Sequence, residues 1–138
     1  MQSWNPVPPE SIITFPEGIP GLSGVRRFVI LRAEEMEPIA VLQSIEDEHV
    51  SLPVIPVHTV DGEYQIALSV QDRKTLAIVD TQDLSGLVCL AVLVLPGAET
   101  PAACNLLAPI VINPASMRGK QVVQINSSYS ALQPLEAA

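Results

Sequence analysis

Leu87-Val88-Cys89-Leu90-Ala91-Val92-Leu93-Val94-Leu95 is the longest apolar run in the chain, nine residues bounded by Gly86 on one side and Pro96-Gly97 on the other. A run of this length suits a buried helix or a strand covered on both faces, since neither needs polar alternation. Its Val and Cys positions and the breakers at both ends favour a central strand. Each side chain fully buried there contributes roughly 1.5–3 kcal/mol. The run is therefore the expected centre of the core. It is too short for a membrane helix, which needs roughly 18 apolar residues or more.

The composition around this run agrees with a strand reading. Thirteen prolines and seven glycines punctuate 138 residues. An interior proline costs a helix about 3 kcal/mol, so long helices do not fit that spacing, whereas short strands and turns do. Hydrophobic residues make up 48% of the chain and charged residues 16%, which excludes general disorder. With aromatics at only 4%, the core must be aliphatic. A chain this long reads most simply as one domain, residues 1–138, burying roughly two-thirds of its unfolded surface without help from disulfides or metals. Cys89 and Cys104 read as buried reduced thiols. Met1–Pro9 lacks the basic and apolar regions of a secretory signal, so a cytoplasmic location is expected.

Working outward, residues 1–10 contain Pro6, Pro8 and Pro9 and are expected to be extended. Ile12–Phe15 reads as a short strand, and Pro20-Gly21 suits the centre of a type II turn. Val25–Leu31 and Ile39–Gln43 are strands, separated by a charged turn at Glu34–Pro38. Glu46–Glu48 is a tight polar connection. Val50–Val57 is extended, but Pro53 and Pro56 remove backbone donors and point to an edge or bulged strand. Asp61-Gly62 signals a hairpin with Tyr64–Leu68 as its return strand, Tyr64, Ile66 and Leu68 sharing one face. The best helical patch is Ser69–Thr75, with Ser69 as N-cap. Asp83–Gly86 turns the chain into the central run. Asn105–Asn113 is a further strand in which Pro109 marks a bulge or edge, and Lys120–Asn126 is the last clear strand. The expected fold class is all-β: a small antiparallel β-barrel-like domain with one short helix near residues 69–75.

Charge is unevenly placed. Ala33–Asp72 holds nine acids and no Lys or Arg, while the remainder holds six acids and seven bases. The net charge of −8 therefore arises in one segment. Phosphate affinity depends on Lys and Arg, so direct nucleic-acid binding is not expected. A basic protein partner is favoured, against the plainer reading of a solvated acidic face that aids solubility.

The residues capable of chemistry do not assemble into a site. Glu46 and Asp47 are adjacent, and adjacent strand residues point to opposite faces. His49 and His58 lie nine positions apart with no cysteine nearby, unlike common metal spacings. No Gly-x-Ser-x-Gly elbow or phosphate-binding glycine loop is present. Cys89 sits in an apolar run, where a thiolate is disfavoured. No catalytic residue, cofactor or metal is expected.

Three stretches, in this order, resemble the bacterial flagellar assembly factor FliW family. They are Ile12-Ile13-Thr14-Phe15-Pro16-Glu17-Gly18-Ile19-Pro20-Gly21, then Leu42-Gln43-Ser44-Ile45-Glu46-Asp47, then Asn105-Leu106-Leu107-Ala108-Pro109-Ile110-Val111-Ile112-Asn113 with Gly119-Lys120-Gln121-Val122 following. Tyr129 and Pro134-Leu135 extend the likeness into the tail. The resemblance implies a cytosolic, non-enzymatic, small β-barrel-like protein. It implies two competing protein partners, flagellin and the RNA-binding translational repressor CsrA, with CsrA antagonised away from its RNA site when flagellin has been exported. It offers Gln43, Glu46, Asp47, Asn105, Asn113, Lys120 and Gln121 as partner-binding positions, the acids facing CsrA. The plainer alternatives are that Asn105 and Asn113 cap turns and that Gln43 and Gln121 pair across strands. The chain departs from the family pattern in its short proline-rich N-terminus, in Leu22 where Phe is usual, and in Leu52, Pro53 and Pro56 where aromatics are common. Competing readings are a flagellin chaperone without a translational role, an unrecognised β-barrel enzyme and a structural scaffold.

Overall fold

The computed structural model describes residues 8–22, 24–125 and 127–135. Its strands, in chain order, are β1 (Ile13–Thr14), β2 (Arg27–Arg32), β3 (Ala40–Ser44), β4 (Ser51–Pro56), β5 (Val88–Val94), β6 (Ala103–Asn113), β7 (Arg118–Gln121) and β8 (Gln133–Pro134). The first seven close into a barrel in the order β5-β4-β3-β2-β1-β7-β6, with β6 returning to β5. β8 adds to β6 beside Ala103 and Cys104. All pairings are antiparallel except β1–β7, which is parallel at Thr14–Arg118. The small β-barrel expected from the sequence is the fold observed, with one parallel seam.

Alternation along β2, β3 and β4 fills the barrel. Ile30 faces Leu42, which faces Leu52; Ala40 faces Val54, which faces Val92 of β5. All pack in one interior cluster with Phe15, Phe28, Leu90, Ile110 and Ile112. Phe15 and Phe28 meet edge to face at 5.3 Å, a favoured aromatic geometry. Gly119 makes room for them: a Cβ there would lie 2.5 Å from the Phe15 ring.

β5 is central, between β4 and β6. Leu90 points into the barrel, while Ala91 packs in an outer cluster with Val57, Tyr64 and Leu106. Cover on both faces ends before the run does, since Leu95 is 72% exposed. Pro109 sits in the expected bulge. Leu90 pairs with Ile110 and Val92 with Asn105, so Ala91 alone spans Leu106–Pro109.

Several expectations need correction. β4 is interior, not an edge, because it pairs with both β3 and β5. Its prolines are tolerated because the two ladders overlap only at Val54. Pro53 is paired with β3 alone and Pro56 with β5 alone, so each has one side without a ladder, where a missing N–H costs no strand-to-strand bond. The Asp61-Gly62 hairpin does not form. Val57–Val60 is instead a helical turn, α1, and Tyr64–Leu68 runs extended without joining a ladder. Burial still alternates there as expected, Tyr64, Ile66 and Leu68 facing inward. Of the extended N-terminus expected over 1–10, residues 1–7 lie outside the described residues, and Pro9–Ser11 forms a 3₁₀ turn. The strand expected over Lys120–Asn126 is instead Arg118–Gln121, a further short strand, Gln133–Pro134, follows it, and Asn126 lies outside the described residues.

Other local readings hold. The turn at Ile19–Leu22 closes with an N–H to O=C bond of 2.9 Å, and Gly21 takes φ +89°, which type II geometry demands at that position. The helix near 69–75 is α2 (Val70–Thr75). Ser69 and Asp72 form a reciprocal capping box, each side chain accepting the other's backbone N–H. Cys89 and Cys104 are free thiols, and burial raises both, Cys89 to about 11.

Residues 57–87 form a strap across the outside of β5, β6 and β7. Beneath it lie Val111 and Val122, covered by Leu76, Ile66 and Leu68.

Candidate functional site

The three sequence stretches meet around the loop from Phe15 to Arg26. On one side this loop is held by the second stretch. Glu46 Oε1 accepts the N–H of Arg26 at 2.6 Å and of Arg27 at 2.9 Å, and Oε2 lies 3.5 Å from Arg27 Nε. Arg26 in turn donates to the Pro16 carbonyl. The backbone N–H of Arg26, then that of Arg27, holds the Glu46 carboxyl below its ordinary range.

On the other side the loop is held by the third stretch. Lys120 Nζ lies 2.7 Å from Asp72 Oδ1 and 3.7 Å from Glu17 Oε1. Glu17 Oε2 also accepts from Thr75 Oγ1 at 2.7 Å. Burial alone would raise the Asp72 carboxyl, but Lys120 and the N–H and hydroxyl of Ser69 outweigh it and leave it lowered. In the sequence Arg26 carries no signal, and Asp72 is one acid among the nine of Ala33–Asp72. The only signal for Glu17 was its place inside the first stretch.

The remaining positions brace the barrel's own backbone. Buried Gln43 donates to the carbonyls of Val50 at 3.1 Å and Glu48 at 3.3 Å, while Ser44 Oγ accepts the N–H groups of Glu46 and Asp47. The turn carrying Glu46, Asp47 and Glu48 is thereby fixed from inside. The Asp47 carboxylate is exposed and, among the described residues, its one hydrogen bond is from the His49 backbone N–H, at 2.9 Å. Asn105 Oδ1 accepts from Leu107 N–H at 3.0 Å and Ala108 N–H at 2.9 Å, capping the β6 bulge. Gln121 donates to the Ala108 carbonyl at 3.0 Å from the other side. Gln43 and Gln121 do not pair with each other, since β3 and β7 are not neighbours, but each is paired across strands, Gln43 opposite Ser51 and Gln121 opposite Ile110. Asn113 is 0% exposed: it donates to Leu76 O at 2.9 Å and accepts from Gln82 at 2.6 Å. Direct contact between Asn113 and a partner is therefore ruled out by burial.

The acidic segment does not form one face. Glu34, Glu35 and Glu37 lie in the turn between β2 and β3, and Glu46–Glu48 follow β3 at its opposite end. A five-residue strand separates the groups by about 17 Å. Asp72 is neutralised by Lys120 and Glu46 by Arg27, so Asp47 and Glu48 carry the free charge at the motif end.

His58 contacts the Tyr64 carbonyl at 3.0 Å and His49 contacts Asp47 at 3.4 Å. Among the described residues no group of three His, Cys, Asp or Glu side chains is disposed to hold a metal. Among them, too, no helix is long and apolar enough to cross a membrane.

Fold and site together define a small closed β-barrel whose polar signature residues hold its loops in fixed positions. A family model described as FliW protein matches residues 3–135, and the chain belongs to that family. It is 41% identical over 122 residues to the flagellar assembly factor FliW of Pseudothermotoga lettingae, covering 88% of this chain and 76% of that one. To the Bacillus subtilis flagellar assembly factor FliW it is 32% identical, covering 91% of this chain and 86% of the relative. A crystal structure of the flagellar assembly factor FliW superposes with a TM-score of 0.84 at 29% identity, covering 96% of this chain and 91% of that one. These are flagellar assembly factors, not members of a known enzyme family.

Proposed function

We propose that the chain works in the cytoplasm as one domain, residues 1–138, that regulates flagellum assembly by binding proteins and catalyses no reaction. Its partners in this reading are flagellin and the translational repressor CsrA, which compete for it. The observation that carries the reading is the rigid acidic turn. Ser44 and Gln43 fix Asp47 and Glu48 in place with their carboxylates facing solvent, so a basic surface can dock without first ordering a loop. The net charge of −8 supports fast association with such a surface and disfavours RNA itself.

Within this site Asp47, with Glu46 behind it, makes the charged contact. Lys120 anchors the neighbouring loop through Glu17. Gln43, Asn105, Asn113 and Gln121 act by holding backbone in position. The test is calorimetric titration of the chain with purified CsrA and, separately, with flagellin. An Asp47→Lys, Glu48→Lys double variant is expected to lose CsrA affinity by about tenfold or more at low salt, less at high salt. Unchanged affinity at low salt would remove the acidic turn from the interface. Flagellin binding without any CsrA binding would reduce the role to that of a chaperone.

A further inference from the structure

Beyond β7 the chain keeps a strand's course without a strand's second neighbour. The N–H groups of Val122 and Gln124 bond Pro109 O at 2.9 Å and Leu107 O at 2.7 Å, so this side faces β6. Successive backbone groups of an extended chain point to opposite sides. The N–H and C=O of Val123 thus face away from β6, and they have no hydrogen-bond partner among the described residues. β1 occupies that side only at Thr14, opposite Arg118. It then turns off at Phe15, whose N–H bonds Arg26 O at 2.7 Å.

The open edge borders a groove of about 410 Å³ with Ala67, Leu68 and Asp72 on one side and Lys120, Val123 and Ile125 on the other. Val123 is 59% exposed and Ile125 is 76% exposed beside it. The groove's charged end holds Lys120 with both Asp72 and Glu17, a net charge of −1.

We propose that this edge receives an extended segment of a second polypeptide as an added strand. The segment bonds the Val123 backbone, places alternate apolar side chains on Val123 and Ile125, and carries Lys or Arg where it passes Asp72 and Glu17. The inference rests on the protein-binding reading above and names the site at which one partner is held.

Val123→Pro tests it directly, because it deletes an N–H that no described residue accepts. Ile125→Lys tests it independently by opposing a basic segment. Both full-length variants are titrated with flagellin and with CsrA, and thermal melting checks folding. The expected result is wild-type melting with affinity for at least one partner reduced about tenfold or more. Wild-type affinity of both variants for both partners overturns the inference; if Val123→Pro fails to fold, Ile125→Lys decides alone. If the wild-type chain binds neither protein, the functional reading fails separately. A displayed library of random short peptides then decides the groove. Peptides that bind wild type but not the variants uphold it, and their absence overturns it.

Discussion

The β2–β3–β4 meander and the strap over residues 57–87 are held by different bonds. The meander is a backbone ladder: nine residue pairs join β2 to β3 and β3 to β4. Among the described residues, every hydrogen bond from residues 61–86 to the barrel uses a side chain. Gln124 takes both the N–H and the C=O of Ala67, at 2.8 and 3.2 Å, as a neighbouring strand would. Tyr64 donates to Leu106 O at 2.6 Å, and Leu76 O accepts from Asn113 and Ser116. A ladder spreads its strength over many interchangeable groups. A strap tied by side chains concentrates it in a few residues whose identity matters.

The sharpest way to break this contrast is Asn113→Ala. It takes away one of the two donors to the Leu76 carbonyl, leaving Ser116, and strips Gln82 and the Ala115 N–H of their acceptor, and is expected to cost about 2–3 kcal/mol. Urea unfolding measures the loss. Hydrogen exchange should show the amides of residues 76–78 opening before those of β3; uniform loosening would show that the strap and ladder are one cooperative unit.

A second effect, smaller, is set by pH. The Asp72 carboxyl has a lowered folded value, so its stabilising contribution is complete above its unfolded value near 4 and is lost as pH falls through the folded value. Asp72→Asn should reduce stability at pH 7 by about 1 kcal/mol and flatten the acid limb of the stability–pH curve. An unchanged acid limb would mean that Lys120 does not tie the strap to β7.

The smallest effect belongs to the ladder. Pro53→Ala at a position paired with β3 alone is expected to change stability by no more than about 0.5 kcal/mol. A larger change in urea midpoint would show that β4 depends on its proline.

The same contrast explains what could be read in advance. The central run, the Pro20-Gly21 turn, the Ser69 cap and the Pro109 bulge each announce themselves through local chemistry. Gly119 was visible only as part of a motif, because its reason is the Phe15 ring, more than one hundred positions away in the chain. Gln124 carried no signal at all, because an amide that stands in for a neighbouring strand looks like any polar residue. Asp61-Gly62 misled, because a hairpin turn needs a partner strand that the barrel supplied elsewhere.

The sequence by itself determined an aliphatic all-β chain, its turns and an acidic Ala33–Asp72 segment, since these follow from propensity, period and charge. Only the tertiary structure decided that β4 is interior and that the acids divide between two ends of a strand. It also decided that the polar motif residues other than Asp47 brace backbone and that, among the described residues, nothing bonds the edge at Val123. Those depend on which segments close the barrel, and closure is fixed by contacts between residues far apart in the chain.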